Sequence, residues 1–130
     1  YVSLQIELRP FEKIYLNGAV IANGDARSSF AVLNDAALLR EKDILTEEMA
    51  DSPCKRVYLA LQLMYMDPAS RARYTEAYAS LKAQVLEAAP STATWFDEID
   101  PLLADGRHYQ ALKAARGLIH YEQELINHVK

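Results

Sequence analysis

The sequence predicts an α+β fold in which a small antiparallel β unit precedes a C-terminal helical bundle. Three observations lead there. Val2, Leu4, Ile6 and Leu8 alternate with polar residues, the period-2 pattern of a strand with one buried face. Turn residues then recur every few positions as far as Asn34-Asp35. From Thr46 onward apolar residues return at helical spacing, behind Ser52-Pro53 and Asp67-Pro68 pairs that read as helix starts. The chain therefore divides into a β-rich unit of residues 1–45 and a helical unit of residues 46–130.

Within the first unit, Pro10 lacks a ladder donor and ends or bends the opening strand. Lys13–Leu16 and Ala19–Ala22 flank Asn17-Gly18, a dipeptide suited to the positive φ angles of a two-residue hairpin. Asn23-Gly24-Asp25 turns the chain again before a strand at Ser29–Leu33, and a short apolar stretch, Ala36–Leu39, comes after it. Such short strands and close turns imply a small antiparallel sheet or a partly closed barrel.

In the second unit, Thr46 with Glu47 and Glu48 resembles an N-cap followed by acids, and Ser52-Pro53 is the clearer start. Val57, Leu61, Met64 and Tyr65 mark one helix, and Tyr74, Tyr78, Leu81, Val85 and Leu86 the next. Pro90 stops that helix, Trp95, Phe96 and Ile99 mark a third, and Pro101 either bends or restarts it. Asp105-Gly106 makes a turn before a last helix over Arg107–Lys130. Gly117 inside it costs ~1 kcal/mol relative to alanine, unless a neighbouring helix needs the space.

Composition restricts the function classes. At 51% hydrophobic and 25% charged, the 130 residues suit an ordinary globular protein. No apolar run approaches the ~20 residues of a membrane span, and the opening residues lack a secretory pattern. The lone Cys54 suits a reducing cytoplasm. A formal charge of −4 argues against bulk attraction to nucleic acid, so any RNA site must be a local cluster.

Catalytic patterns are absent. Cys54 at a helix start would have a lowered pKa, but no histidine neighbours it in sequence. His120, Glu124 and His128 form one helical row, which supplies only part of a zinc site and reads as a solvated face. No phosphate loop, dinucleotide fingerprint or nucleophile elbow occurs, so the reading is a non-enzyme without metal or cofactor. Tyr58, Tyr65, Tyr74, Tyr78, Tyr109 and Tyr121 offer either stacking faces or ordinary core packing.

Blocks in order along the chain carry a family resemblance. Glu7-Leu8-Arg9-Pro10-Phe11-Glu12-Lys13-Ile14, the Asn17–Asp25 segment and Leu39-Arg40-Glu41-Lys42-Asp43-Ile44-Leu45-Thr46 are similar to successive blocks of FlbT, a family of flagellin-synthesis regulators. So are Lys55–Tyr65, Ala88–Thr92 and Tyr109–Arg116. Phe11 departs from the family pattern, which has glycine before the glutamate, so the first bend is expected to differ. Pro101 interrupts a stretch that reads as continuous helix in relatives. The resemblance implies a cytoplasmic post-transcriptional regulator that acts on the flagellin mRNA 5' leader, limiting translation or promoting decay. Its implied partners are that leader, flagellin and the companion regulator FlaF.

A second similarity covers residues 4–45 alone. Arg9-Pro10-Phe11-Glu12, the hairpin and Arg40–Ile44 resemble the carbon-storage-regulator family of small RNA-binding β proteins. That likeness implies a homodimer whose edge arginines, here Arg9 and Arg40, grip RNA, and Lys13 and Lys42 join them as candidates. The bland reading of Arg9 and Arg40 is surface pairing with Glu12, Glu41 or Asp43. The alternative function is a protein-binding module, a chaperone-like adaptor for flagellin. Its candidate surface is a second apolar row on the last helix, Leu118, Tyr121, Leu125 and Val129, beside a stripe of Tyr109, Leu112, Ile119 and Ile126.

Overall fold

The computed structural model describes residues 4–129 and divides into two compact units, Tyr1–Ile44 and Leu45–Lys130. Val2, Lys130 and the side chain of Val129 lie outside the described residues.

The first unit holds five short strands in two sheets. Strand β1 (Leu4–Leu8) pairs antiparallel with β4 (Ser28–Val32), from Leu4↔Val32 to Leu8↔Ser28. Strand β2 (Lys13–Leu16) lies between β3 (Ala19–Ala22) and β5 (Leu38–Arg40). The alternation in β1 holds from Gln5 onward, whereas Leu4, expected on the buried face, is 48% exposed where the strand begins, outside the small core. Ile6 and Leu8 are buried, Gln5 and Glu7 are exposed, and the core joins Ile6, Leu8 and Ile14 to Phe30, Val32 and Leu38. The β2–β3 hairpin turns at Asn17 (φ 48°) and Gly18 (φ 93°), the left-handed pair that matches strand twist. Asn17 is held further by Ala37, whose N–H donates to its Oδ1 at 2.8 Å.

The second unit is helical. Ser52 caps α1 (Pro53–Met66), its hydroxyl accepting from the Lys55 N–H, and Pro53 occupies the first turn. Thr46 begins only a turn, with the Met49 N–H at 3.3 Å from its Oγ1, because the Ser52-Pro53 start lies so close behind. A 3₁₀ turn at Pro68–Ser70 leads into α2 (Arg71–Ala88), and another at Pro90–Thr92 into α3 (Ala93–Ala104). Helix α3 runs through Pro101 and ends within one turn of it. Gly106 (φ 76°) then reverses the chain into α4 (His108–Val129).

Helix α1 packs against α2 and α4, and α3 packs against α4. The fully buried side chains include Leu61, Phe96, Ile99, Leu112 and Leu118, each worth about 1.5–3 kcal/mol of burial. Polar groups tie the frame as well. Buried Gln62 on α1 clamps Leu45, accepting from its N–H at 2.8 Å and donating to its carbonyl at 2.9 Å. Glu122 on α4 accepts from the Ser52 hydroxyl at 2.5 Å and from the Cys54 N–H at 3.0 Å, a carboxylate placed at the positive end of α1. Gly117 is required where it stands, because a Cβ there would overlap the Trp95 indole at Cζ3.

Candidate nucleic-acid interface

One end of the β unit gathers four of its five cations. After β1, the chain turns at Pro10-Phe11, and Phe11 itself takes the left-handed conformation (φ 62°). Phenylalanine thus stands in a backbone conformation that favours glycine. The bend is tightly held. The Phe11 N–H donates to the Gly24 carbonyl at 2.8 Å, and the Asn23 N–H donates to the Glu12 carbonyl at 2.9 Å. Asn23 Nδ2 donates to the Arg9 carbonyl at 2.7 Å, and Ser28 Oγ donates to Asn23 Oδ1 at 2.7 Å.

Glu12 organises the charges around this bend. It accepts from the Arg9 N–H at 3.0 Å, and its other oxygen lies 3.5 Å from Arg40 Nε. The backbone hydrogen bond from Arg9 acts most strongly on its carboxyl, burial opposes it, and the Arg40 guanidinium adds to the Arg9 effect, so the group is held below the usual range. Arg40 also donates to the Glu7 carbonyl and so ties the end of β5 to β1.

Beside these groups lies a groove of about 220 Å³ lined by Glu7, Arg9, Glu12, Arg27, Arg40 and Lys42. A second, of about 460 Å³, is lined by Arg9, Pro10, Phe11, Glu12, Glu41 and Lys42. The first sets four cations against two acids, in a chain whose formal charge is −4. Arg9, Arg27 and Lys42 are exposed, the Arg9 side chain 71% so at 4.0 Å from Glu12. Arg40 is bound into the frame, so the ion-pair reading describes it well. The structure thus brings Arg9, Arg40 and Lys42 together, while Lys13, exposed at the start of β2, lines neither groove. Sequence reasoning missed Arg27. The signal was the β1–β4 register, since pairing Leu8 with Ser28 sets Arg27 beside Arg9.

The candidate row on α4 is corrected by burial. Leu118 is 0% exposed and belongs to the helical core, because α4 must cover both α1 and α3 and uses both apolar rows to do so. Tyr121 and Leu125 are half-buried. The Tyr121 ring lies 6.0 Å from Trp95, and its hydroxyl donates to Ser91 Oγ at 2.6 Å. Among the described residues of α4, the exposed large apolar side chains are instead Tyr109 and Ile126.

The remaining chemical candidates resolve as packing. Burial, and then the Glu122 carboxylate, push the Cys54 thiol up to about 12, opposite to the lowering expected of a helix start. Tyr58 and Tyr78 are buried, Tyr78 donating to Asp100 at 2.5 Å while Lys82 pairs with the same carboxylate. His120, Glu124 and His128 are all exposed, and among the described residues no group of three or more His, Cys, Asp and Glu is placed to hold a metal ion. No helix among them is long and apolar enough to cross a membrane.

Comparison with known proteins agrees along almost the whole chain. The family model for flagellar protein FlbT matches residues 4–126. A probable flagellum biosynthesis repressor protein FlbT of Rhodopseudomonas palustris (strain TIE-1) is 40% identical over 124 residues, covering 95% of this chain and 98% of its own. The corresponding protein of Caulobacter sp. (strain K31) is 37% identical, covering 97% and 98%. The flagellum biosynthesis repressor protein FlbT of Caulobacter vibrioides (strain ATCC 19089 / CIP 103742 / CB 15) is 33% identical, covering 97% and 91%. No solved structure shows a significant match. By this extent of similarity the chain belongs to the FlbT family of flagellar proteins.

Proposed function

We propose that this protein is a cytoplasmic regulator of flagellar synthesis that binds the 5' leader of flagellin mRNA and limits its translation or promotes its decay. The names of its relatives as flagellum biosynthesis repressors support the regulatory role. The observation that carries the RNA contact is the convergence of Arg9, Arg27, Arg40 and Lys42 on one groove of a chain that is otherwise acidic. Arginine forks suit phosphates and stack on bases, and RNA readers commonly take unpaired loops. Filter binding of leader RNA across a salt series tests this. Replacing Arg9, Arg27 and Lys42 with alanine should weaken binding and flatten the salt dependence by about 0.7 in log–log slope for each phosphate the variant no longer neutralises. Arg40 is left in place because it ties the two sheets together. Unchanged affinity and slope would contradict direct contact.

A second reading has its own observation. Tyr109 and Ile126, near opposite ends of α4, are exposed apolar side chains that would serve as separate anchor points for flagellin or FlaF. In that adaptor reading the effect on mRNA is indirect, and flagellin displaces no RNA in the same binding assay. We further infer a homodimer. Its support is β3, an edge strand whose Ala19, Val20, Ile21 and Ala22 are all exposed.

A further inference from the structure

Phe11 combines features that core packing does not explain. It is a large apolar residue, 69% exposed, on a left-handed backbone that costs about 1–2 kcal/mol for any residue but glycine. Its turn is nevertheless fixed from both sides by Gly24, Asn23 and Glu12, so the ring projects from a rigid mount. Strain held at an exposed position by its surroundings is a mark of function. The groove it lines, about 460 Å³, falls within the range of small-ligand sites. Its other lining residues are Arg9, Pro10, Glu12, Glu41 and Lys42, four of them charged. An apolar anchor from a protein partner would want an apolar surround. A nucleobase wants the arrangement present at this bend: one aromatic face, with cations beside it for phosphates.

We propose that Phe11 is a stacking platform for one unpaired RNA base, with Arg9 and Lys42 holding the flanking phosphates. This rests on the RNA-binding reading above and names the subsite where the strand is gripped. Stacking releases no counterions, so it adds affinity without adding salt dependence. It is tolerant of base identity, because every base has a π-face.

The test uses the whole protein and flagellin leader RNA, with F11G, F11L and F11Y measured beside the triple alanine variant. Glycine suits φ 62°, so F11G should fold at least as well as the parent, which a melting curve checks. F11G and F11L should weaken leader binding about ten- to a hundredfold with the salt slope unchanged, and F11Y should bind as the parent does. If F11G binds as the parent while the triple variant is weakened, the stacking subsite is overturned and the RNA reading stands. If neither variant changes binding, both fall. If F11G keeps RNA but loses flagellin, the ring is a protein contact and the proposal is overturned.

Discussion

Gly117 faces the indole of Trp95 across the α3–α4 contact, and this one missing methyl fixes how closely two helices approach. Alanine there would gain ~1 kcal/mol of helix propensity. It would also force the Trp95 ring, which stands 6.0 Å from Tyr121, out of its seat at a cost of about 1–3 kcal/mol. We expect Gly117→Ala to lower the melting temperature. A rise would show that the contact is slack. Leu118 beside it is fully buried, so Leu118→Ala should cost about 2–5 kcal/mol in denaturant unfolding, whereas a partner-facing leucine would cost little. The sequence displayed Gly117 and Leu118 but not their surroundings. A glycine in a helix reads as a defect until the neighbouring ring is known, and two adjacent apolar rows look like a surplus until two helices are found to need them.

At the level of elements, the legible features were those with local causes. Asn17-Gly18 forms its hairpin because two successive residues must take positive φ, and Ser52-Pro53 starts α1 because a hydroxyl cap and a proline agree there. Thr46 failed as a helix start because a capping residue does not determine whether the next turn of chain stays helical. The Pro10-Phe11 bend was legible only as an interruption, since its conformation depends on distant Asn23 and Gly24. Its charge network gives a pH prediction. The Glu12 carboxyl titrates below its ordinary 4.5, so its stabilising effect is complete above that pH and is lost as the pH falls through the lowered value. Urea midpoints measured between about pH 5 and pH 3 should therefore fall less steeply in Glu12→Gln than in the parent. Equal slopes would mean that the ion pairs contribute nothing. Strand β3 gives another. With Val20 71% exposed on an open edge, the parent should sediment as a dimer at micromolar concentration, and a Val20→Lys, Ile21→Lys variant as a monomer. A monomeric parent would remove the dimer.

Over the whole molecule, charge and exposed apolar surface are distributed differently in the two units. The β unit carries five cations against six acids, near neutrality, yet Arg9, Arg27, Arg40 and Lys42 share one groove. Bulk charge could not reveal that, because it emerges only when β1 pairs with β4 and Arg40, at the end of β5 in the other sheet, reaches the Glu7 carbonyl. The helical unit holds most of the acidic excess and buries Leu118 in its core, while Tyr109 and Ile126 are exposed among the described residues of α4. The RNA-binding function proposed above requires leader RNA to touch the β unit at the Arg9–Glu12 bend. Ultraviolet crosslinking of the whole protein to flagellin leader RNA, with mapping of the crosslinked peptides, reads that contact without any substitution. Contact at the bend predicts crosslinks at residues 9–12, 27 and 40–42 that an excess of unlabelled leader removes. Crosslinks confined to residues 45–130, or none that the leader competes away, would contradict it.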